Sequence, residues 1–352
     1  MRSKKRVRRK LNKKRVFQTL LSLGILLAIF LGGIAGYYGS KIGSFLDGIS
    51  ADEEGANDPQ SIEITQQLED LEPFSALILG VDDEDGGASR SDTIIVATVN
   101  PKTKDIKLVS VPRDARVTLP NGTPEKINAA FATGGPQLAR EMVSDYLDIP
   151  IDFYATMDFE GLVELVDAVG GITVESDLEF TQSNHIGGKK SVEIQEGTQT
   201  LDGAEALGYA RMRKEDPQGD FGRQQRQQEV IIEVLDRLAS FNTITNLTGV
   251  LDSIEPYLQT NATSRQMLAI AGNYSSVASN VEQLSLDGTA YSEYFPLYGL
   301  ELYVWEPYAE SLAEVQGELQ EHLELDNKNK FKDSKTKIES VHPSSSETMN
   351  NE

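Results

Sequence analysis

The chain has 352 residues, 33 basic and 55 acidic, for a formal charge of −22. Ten of the basic residues lie between Arg2 and Arg15 with no acid among them, so the remainder holds 23 against 55 and carries −32. So acidic a body excludes general nucleic-acid binding, which needs a surplus of cations. The absence of cysteine excludes thiolate nucleophiles, zinc–thiolate and iron–sulfur sites and disulfides, and three His argue against a multi-His metal centre.

Residues Val16 to Ser40 contain no charged side chain. Such a run is long enough to cross a hydrocarbon core of about 30 Å as a helix. A cleaved signal peptide is the competing reading, but its apolar stretch is usually about 7–15 residues and ends in a small-residue cleavage site, which is missing here. The basic run 1–15 then stays in the cytoplasm, which makes the expectation a single-pass membrane protein with its bulk outside. Residues 41–72 hold nine acids and one base and read as a stalk.

The folded region is expected from Pro73 to Trp305. Phe74 to Val81 reads as a buried strand. Thr93 to Val99 and Ile106 to Val111 follow as β-branched strands around the turn at Asn100-Pro101. Gly135 to Leu147 has helical spacing, Phe153 to Met157 is a strand, Phe159 to Ala168 a helix and Ile172 to Val174 a strand. Leu178 to Thr200 reads as an irregular excursion. Asp202 to Ala210 and Phe221 to Ser240 are helices. Alternating strands and helices argue an α/β sheet covered on both faces. A further helix is expected over 306–325, and 326–352 reads as a disordered tail.

Charge then points to a site. Val230, Ile231, Val234, Leu235 and Leu238 mark the core stripe of the long helix. Extended toward the N-terminus, that stripe meets Gln227, Arg226 or Arg223. Polar groups there need partners, and a helix N-terminus already favours an anion. Arg211 and Arg213 lie just upstream and share a face if extended. Earlier, one strand delivers Asp82 and Asp83 to a loop with a Gly86-Gly87 turn, and Arg90-Ser-Asp92 opens the next strand. Paired carboxylates suit a hard cation such as Mg2+ shared with phosphate and water. Arg113 closes the third strand, where open α/β sheets bind ligands. The residues alone indicate a diphosphate site with Arg clamps and Asp groups on Mg2+.

The runs Leu79-Gly-Val-Asp82, Arg90-Ser-Asp-Thr93, Ser110-Val-Pro-Arg-Asp114, Glu125-Lys-Ile-Asn128, Asp167-Ala-Val-Gly-Gly-Ile-Thr-Val174, Leu201-Asp-Gly-Ala-Glu-Ala-Leu207, Ala210-Arg-Met-Arg213 and Asp216-Pro-Gln-Gly-Asp-Phe-Gly-Arg-Gln-Gln-Arg-Gln227 resemble the LytR–CpsA–Psr family, in that family's order. The resemblance implies a three-layer α-β-α sandwich with a mixed central sheet and an apolar pocket for a polyprenyl chain. It implies transfer of a polyprenyl-diphosphate-linked glycopolymer (teichoic acid, capsule or another secondary wall polymer) to the C6 hydroxyl of N-acetylmuramic acid in peptidoglycan, outside the membrane. By position, Asp82 and Asp92 would hold Mg2+. Arg90, Arg113, Arg211, Arg213, Arg223 and Gln227 would hold the diphosphate, with Asp82, Asp92 and Arg113 as catalytic residues. Glu125-Lys-Ile-Asn stands where the family usually has Asp-Lys-Ile-Asn, which leaves Lys126 and Asn128 without a settled role. The general base is open between Asp92 and Asp82. The competing functions are a polyprenyl diphosphate hydrolase and a non-catalytic envelope regulator or scaffold.

Overall fold

The computed structural model describes residues 39–50, 58–82, 90–183, 191–239, 244–274, 277 and 280–325. The expected membrane span, apart from its last residues, falls outside them, as do Asp83, Gly86, Gly87 and the C-terminal tail. Among the described residues no helix is long and apolar enough to cross a membrane. Contacts divide the chain into Met1–Ser44 and Phe45–Glu352, and the fold lies in the second unit.

Residues 39–49 are helical (α1), and Pro59–Glu69 forms α2. The central sheet is built from β1 (Phe74–Asp82), β2 (Arg90–Asn100), β3 (Asp105–Ser110), β6 (Phe153–Asp158), β11 (Leu258–Thr260) and β12 (Val281–Leu284). Its order is β11-β6-β1-β2-β3-β12. β1 runs parallel to β6 and antiparallel to β2, and β3 runs antiparallel to β2, so the sheet is mixed. The ends of β1, β3 and β6 therefore share one edge with the start of β2. A register shift between Gly80 and Val81 bulges β2 around Asp92 at that edge. A bulge turns a side chain out of the ladder, which suits a strand end that serves a site.

One face of the sheet is covered by α3 (Ala129–Leu147) and α9 (Ala309–His322). Leu77, Leu79, Val96 and Val109 pack there with Val143, Leu147, Val315 and Leu319. α3 breaks its helical geometry at Gly134 and Gly135, so the helix expected from Gly135 is the second limb of a longer, kinked one. α9 is part of the packed domain, since Leu319 is fully buried. The segment read as a stalk is also drawn in: Ile64 and Leu68 of α2 pack against the other face with Phe74, Ile95, Leu108 and α8 (Ser264–Asn273).

That second face also carries α4 (Phe159–Ala168) and α6 (Asp220–Ala239), with α5 (Gly203–Arg211) packed against both helices. Asp158 caps α4 through Gly161 N, and Asp202 opens α5 with a capping box closed by Glu205. Such caps satisfy the free amides of a helix start. α5 presses closely on α4: a Cβ on Gly203 would sit 2.2 Å from Val163 O. The excursion expected over 178–200 is instead strand: β8 (Phe180–Ser183) pairs with β9 (Ser191–Ile194), and β10 (Gly197–Leu201) pairs with β7 (Ile172–Ser176). Their polar alternation hid short two-stranded ribbons. β4 (Arg116–Thr118) pairs with β5 (Pro124–Lys126), and β13 (Gly288–Phe295) pairs with β14 (Leu300–Pro307). α7 spans Ile244–Ile254.

Candidate functional site

The shared sheet edge gathers charge. Arg113 follows β3 and places Nη1 2.8 Å from Asp92 Oδ2 on the bulge of β2. Asp114 Oδ1 accepts from Lys126 Nζ at 2.6 Å, and Arg113 Nε lies 3.8 Å from Asp114 Oδ2. Asn128 N donates to Arg113 O at 3.2 Å, so the Glu125–Asn128 run braces the Arg113 backbone. Burial works against the Arg113 charge, yet Asp92, Asp114 and Asp220 outweigh it and its pKa is raised.

The start of α6 delivers the second half. Arg223 is 7% exposed, and its Nη2 lies 2.7 Å from Asp220 Oδ1. Arg213 Nε approaches the same oxygen at 3.5 Å. Burial lowers the Arg223 pKa; Asp220 and Asp92 oppose this, and the Arg113 and Arg213 charges add to it. Those mutual effects place Arg113, Arg213, Arg223, Asp92 and Asp220 in one electrostatic cluster. Arg223 Nε is buried with no hydrogen-bond partner. A buried guanidinium short of a partner and crowded by two cations is held in want of an anion.

Arg226 is built differently. Its Nε donates to Tyr209 O at 3.1 Å, Nη2 to Met212 O at 2.5 Å and Nη1 to Asp216 at 2.6 Å. Asp216 reaches it because residue 222 is glycine: a Cβ there would sit 1.8 Å from Asp216 Oδ2. Gly219, at φ +59°, completes the turn with its N–H on Asp216 O. Arg226 therefore fixes the loop between α5 and α6 from below and is no part of an anion clamp. Arg211 ends α5 and stacks over Phe159, 4.5 Å from the ring centroid, whereas Arg213 turns toward Asp220. Gln227 is half-buried, and its neighbour Gln228 makes the contact with the sheet edge, donating to Ser110 Oγ at 2.8 Å. Arg90 is exposed and faces Asp82 across β1 and β2.

By backbone position, Asp82 ends β1 and Asp92 sits on the facing bulge of β2. Carboxylates are the donor type that Mg2+ shares with phosphate and water, and Asp92 is held here by Arg113. Among the described residues no group of three or more metal-ligating acids or His forms.

Sequence reasoning missed Asp220. Its signal was the i, i+3 spacing to Arg223, which places the two side chains on one face. Ala76, Ile78 and Gly80 on central strand β1 are only half-buried, although β1 lies mid-sheet with helices on both faces. Leu162 of α4 and Ile231 and Ile232 of α6 are half-buried too. These partly exposed residues lie on the second face of the sheet, behind the charged edge.

Residues 43–321 match the sequence model of the LytR_cpsA_psr family. The chain is 38% identical over 320 residues to a polyisoprenyl-teichoic acid–peptidoglycan teichoic acid transferase, TagU, of Halalkalibacterium halodurans, covering 88% of this chain and 99% of the relative. TagU of Bacillus subtilis is 36% identical, over 90% of this chain and 98% of its own. Among solved structures, B. subtilis TagV superposes with a TM-score of 0.62 at 36% identity, over 73% of this chain and 99% of that one. TagT bound to LIIa-WTA gives 0.59 at 30% identity, over 72% and 92%. With its mixed sheet, its layered helices and a family match spanning most of its length, the chain belongs to the LytR_cpsA_psr family.

Proposed function

We propose that the protein transfers a glycopolymer of the teichoic acid class from a polyprenyl diphosphate carrier to peptidoglycan. The observation that carries this reading is buried Arg223, with an unmatched Nε, beside Arg113 and Arg213. Two relatives named for this transfer, aligned along nearly their whole length, support it.

In this reading the apolar pocket that the family resemblance implies lies over half-buried Ile78, between Leu162 and Ile231, and holds the polyprenyl chain. Burying apolar chain there is favourable by roughly 0.8 kcal/mol per CH2. The diphosphate sits at the mouth, against Arg113, Arg213 and Arg223, with Arg90 and Arg211 at the rim. The acceptor oxygen attacks the sugar-side phosphorus, the phosphoanhydride P–O bond breaks, and polyprenyl phosphate leaves. Negative charge gathers on the departing phosphate in the transition state, and preorganised guanidinium groups stabilise it by several kcal/mol in aggregate. Asp82 and Asp92 would hold Mg2+, which when bound neutralises phosphate charge. The basic segment 1–15 and the span 16–40 place the domain outside the cytoplasmic membrane in this reading.

The test incubates purified full-length protein with a polyprenyl-diphosphate-linked sugar, peptidoglycan and Mg2+. Sugar joined to glycan through phosphate is expected. Release of free sugar phosphate alone would indicate a hydrolase, and no turnover a scaffold.

A further inference from the structure

The β13–β14 hairpin exposes an aromatic face that the diphosphate site does not use. Its register sets Tyr294 opposite Glu301 and Ser292 opposite Tyr303, so all four side chains share one face. Tyr294 is 57% and Tyr303 48% exposed. Such rings are placed as cross-strand diagonal neighbours, about 7–8 Å apart.

Four ties fasten this hairpin to the segment that carries Arg113. Trp305 N donates to Asp114 O at 2.9 Å. Arg116 Nε and Nη2 donate to the Glu293 carboxylate, both at 3.1 Å. Tyr298 Oη, at the hairpin tip, donates to Glu125 Oε2 at 3.0 Å. Lys126 Nζ, paired with Asp114, lies 5.9 Å from the Tyr303 ring centroid. Through Lys126 and Asp114 the aromatic face is thus linked to Arg113. Glu125, under the hairpin tip, is also 4% exposed, with Oε1 lacking any hydrogen-bond donor.

Charge selects the occupant. Lys126, whose ammonium approaches the Tyr303 ring, is already paired, while Glu301 lies on the face and the body after Arg15 carries −32. A polyanionic polymer or an anionic bilayer is repelled there. A sugar chain suits it: the C–H faces of the rings pack on Tyr294 and Tyr303, and hydroxyls donate to Glu301 and Ser292. Two tied strands hold the rings in place, so little entropy is lost on binding.

We propose that this face binds the acceptor glycan of peptidoglycan and aims its hydroxyl at the diphosphate. The inference rests on the transfer reading above and assigns the acceptor side of that site. The test uses full-length protein in detergent, wild type and Tyr294→Ala/Tyr303→Ala. Peptidoglycan stripped of attached polymer is sedimented with each, and the Michaelis constants for acceptor and donor are measured separately. The double variant is expected to weaken glycan binding and raise the acceptor constant about tenfold, with the donor constant and Tm unchanged. Tyr294→Phe/Tyr303→Phe is expected to keep binding, since the rings remain. Unchanged glycan binding, or an equal loss for donor and acceptor, would overturn the proposal. Loss of binding to phosphatidylglycerol vesicles with glycan binding intact would also overturn it and assign the face to membrane. Sedimentation requires no turnover, so a wild type that binds glycan without transferring polymer counts against the transfer reading alone.

Discussion

Arg223 and Arg226 lie one turn apart on α6, are equally buried, and should fail in opposite ways when truncated. Arg226 is fully engaged. It binds two backbone carbonyls and the carboxylate of Asp216, whose side chain is 4% exposed. Arg226→Ala strands that carboxylate in the interior, and breaking a buried pair from one side costs about 3–5 kcal/mol. At about 2–4 °C per kcal/mol, Tm should fall by roughly 10 °C. Arg223 is under-engaged: burial and two neighbouring cations lower its pKa, and Nε has no partner. Removing it discards an unfavourable buried charge and leaves Asp220 within 3.5 Å of Arg213. Arg223→Ala should change stability by no more than about 1 kcal/mol, yet lower the turnover rate about 10²–10³-fold, as loss of one preorganised donor does elsewhere. Thermal melts and single-turnover transfer assays on the full-length protein read both quantities. If Arg223→Ala lowers Tm as far as Arg226→Ala, or transfers at the wild-type rate, Arg223 is a structural residue and the clamp assignment fails.

Asp92→Ala should abolish activity together with its response to Mg2+; residual activity that still climbs with added Mg2+ would put the ion elsewhere. Leu319→Ala should destabilise the domain by about 2–5 kcal/mol in urea titration, because the side chain is fully buried against the sheet; a wild-type midpoint would show α9 to be an appendage. At Asp105, burial pushes the carboxyl upward, but Thr103, His322 and Lys107 outweigh it and hold the pKa below 3.8. A depressed carboxylate stabilises above its unfolded pKa and loses that contribution as pH falls through the folded value. Asp105→Asn should therefore lower Tm at pH 7, with the gap to wild type closing as pH falls through the depressed carboxyl pKa; a gap independent of pH would contradict the linkage.

The strands and helices around the site were legible because their patterns are strong. Phe74 to Val81 is a continuous apolar run, and α6 repeats its apolar residues at helical spacing. The bulge at Asp92 and the kink at Gly134 were not legible, since both depend on how neighbouring chain packs. Arg113 and Arg223 could be picked out because they end a strand and begin a helix. Arg226 could not be separated from them by spacing: what distinguishes it is Asp216, which reaches beneath the helix only because Gly222 has no side chain. The β8–β9 ribbon and the strands of 288–307 were lost among polar and mixed signals. Two-stranded ribbons bury little, so their sequences carry little periodicity.

In the proposed transfer, Asp220 gives the anion site a resting state. With Arg213 and Arg223 both turned to one carboxylate, an arriving diphosphate does not meet bare cations. It exchanges places with an internal counter-ion. Part of the attraction is thereby spent on displacing Asp220, which tempers ground-state affinity more than it tempers stabilisation of the extra charge formed during reaction. When polyprenyl phosphate must depart, the same carboxylate is at hand to take the guanidinium groups back. In the proposed transfer the polyprenyl phosphate product has to leave before the next donor binds, and a site that re-pairs its own charges makes that departure easier.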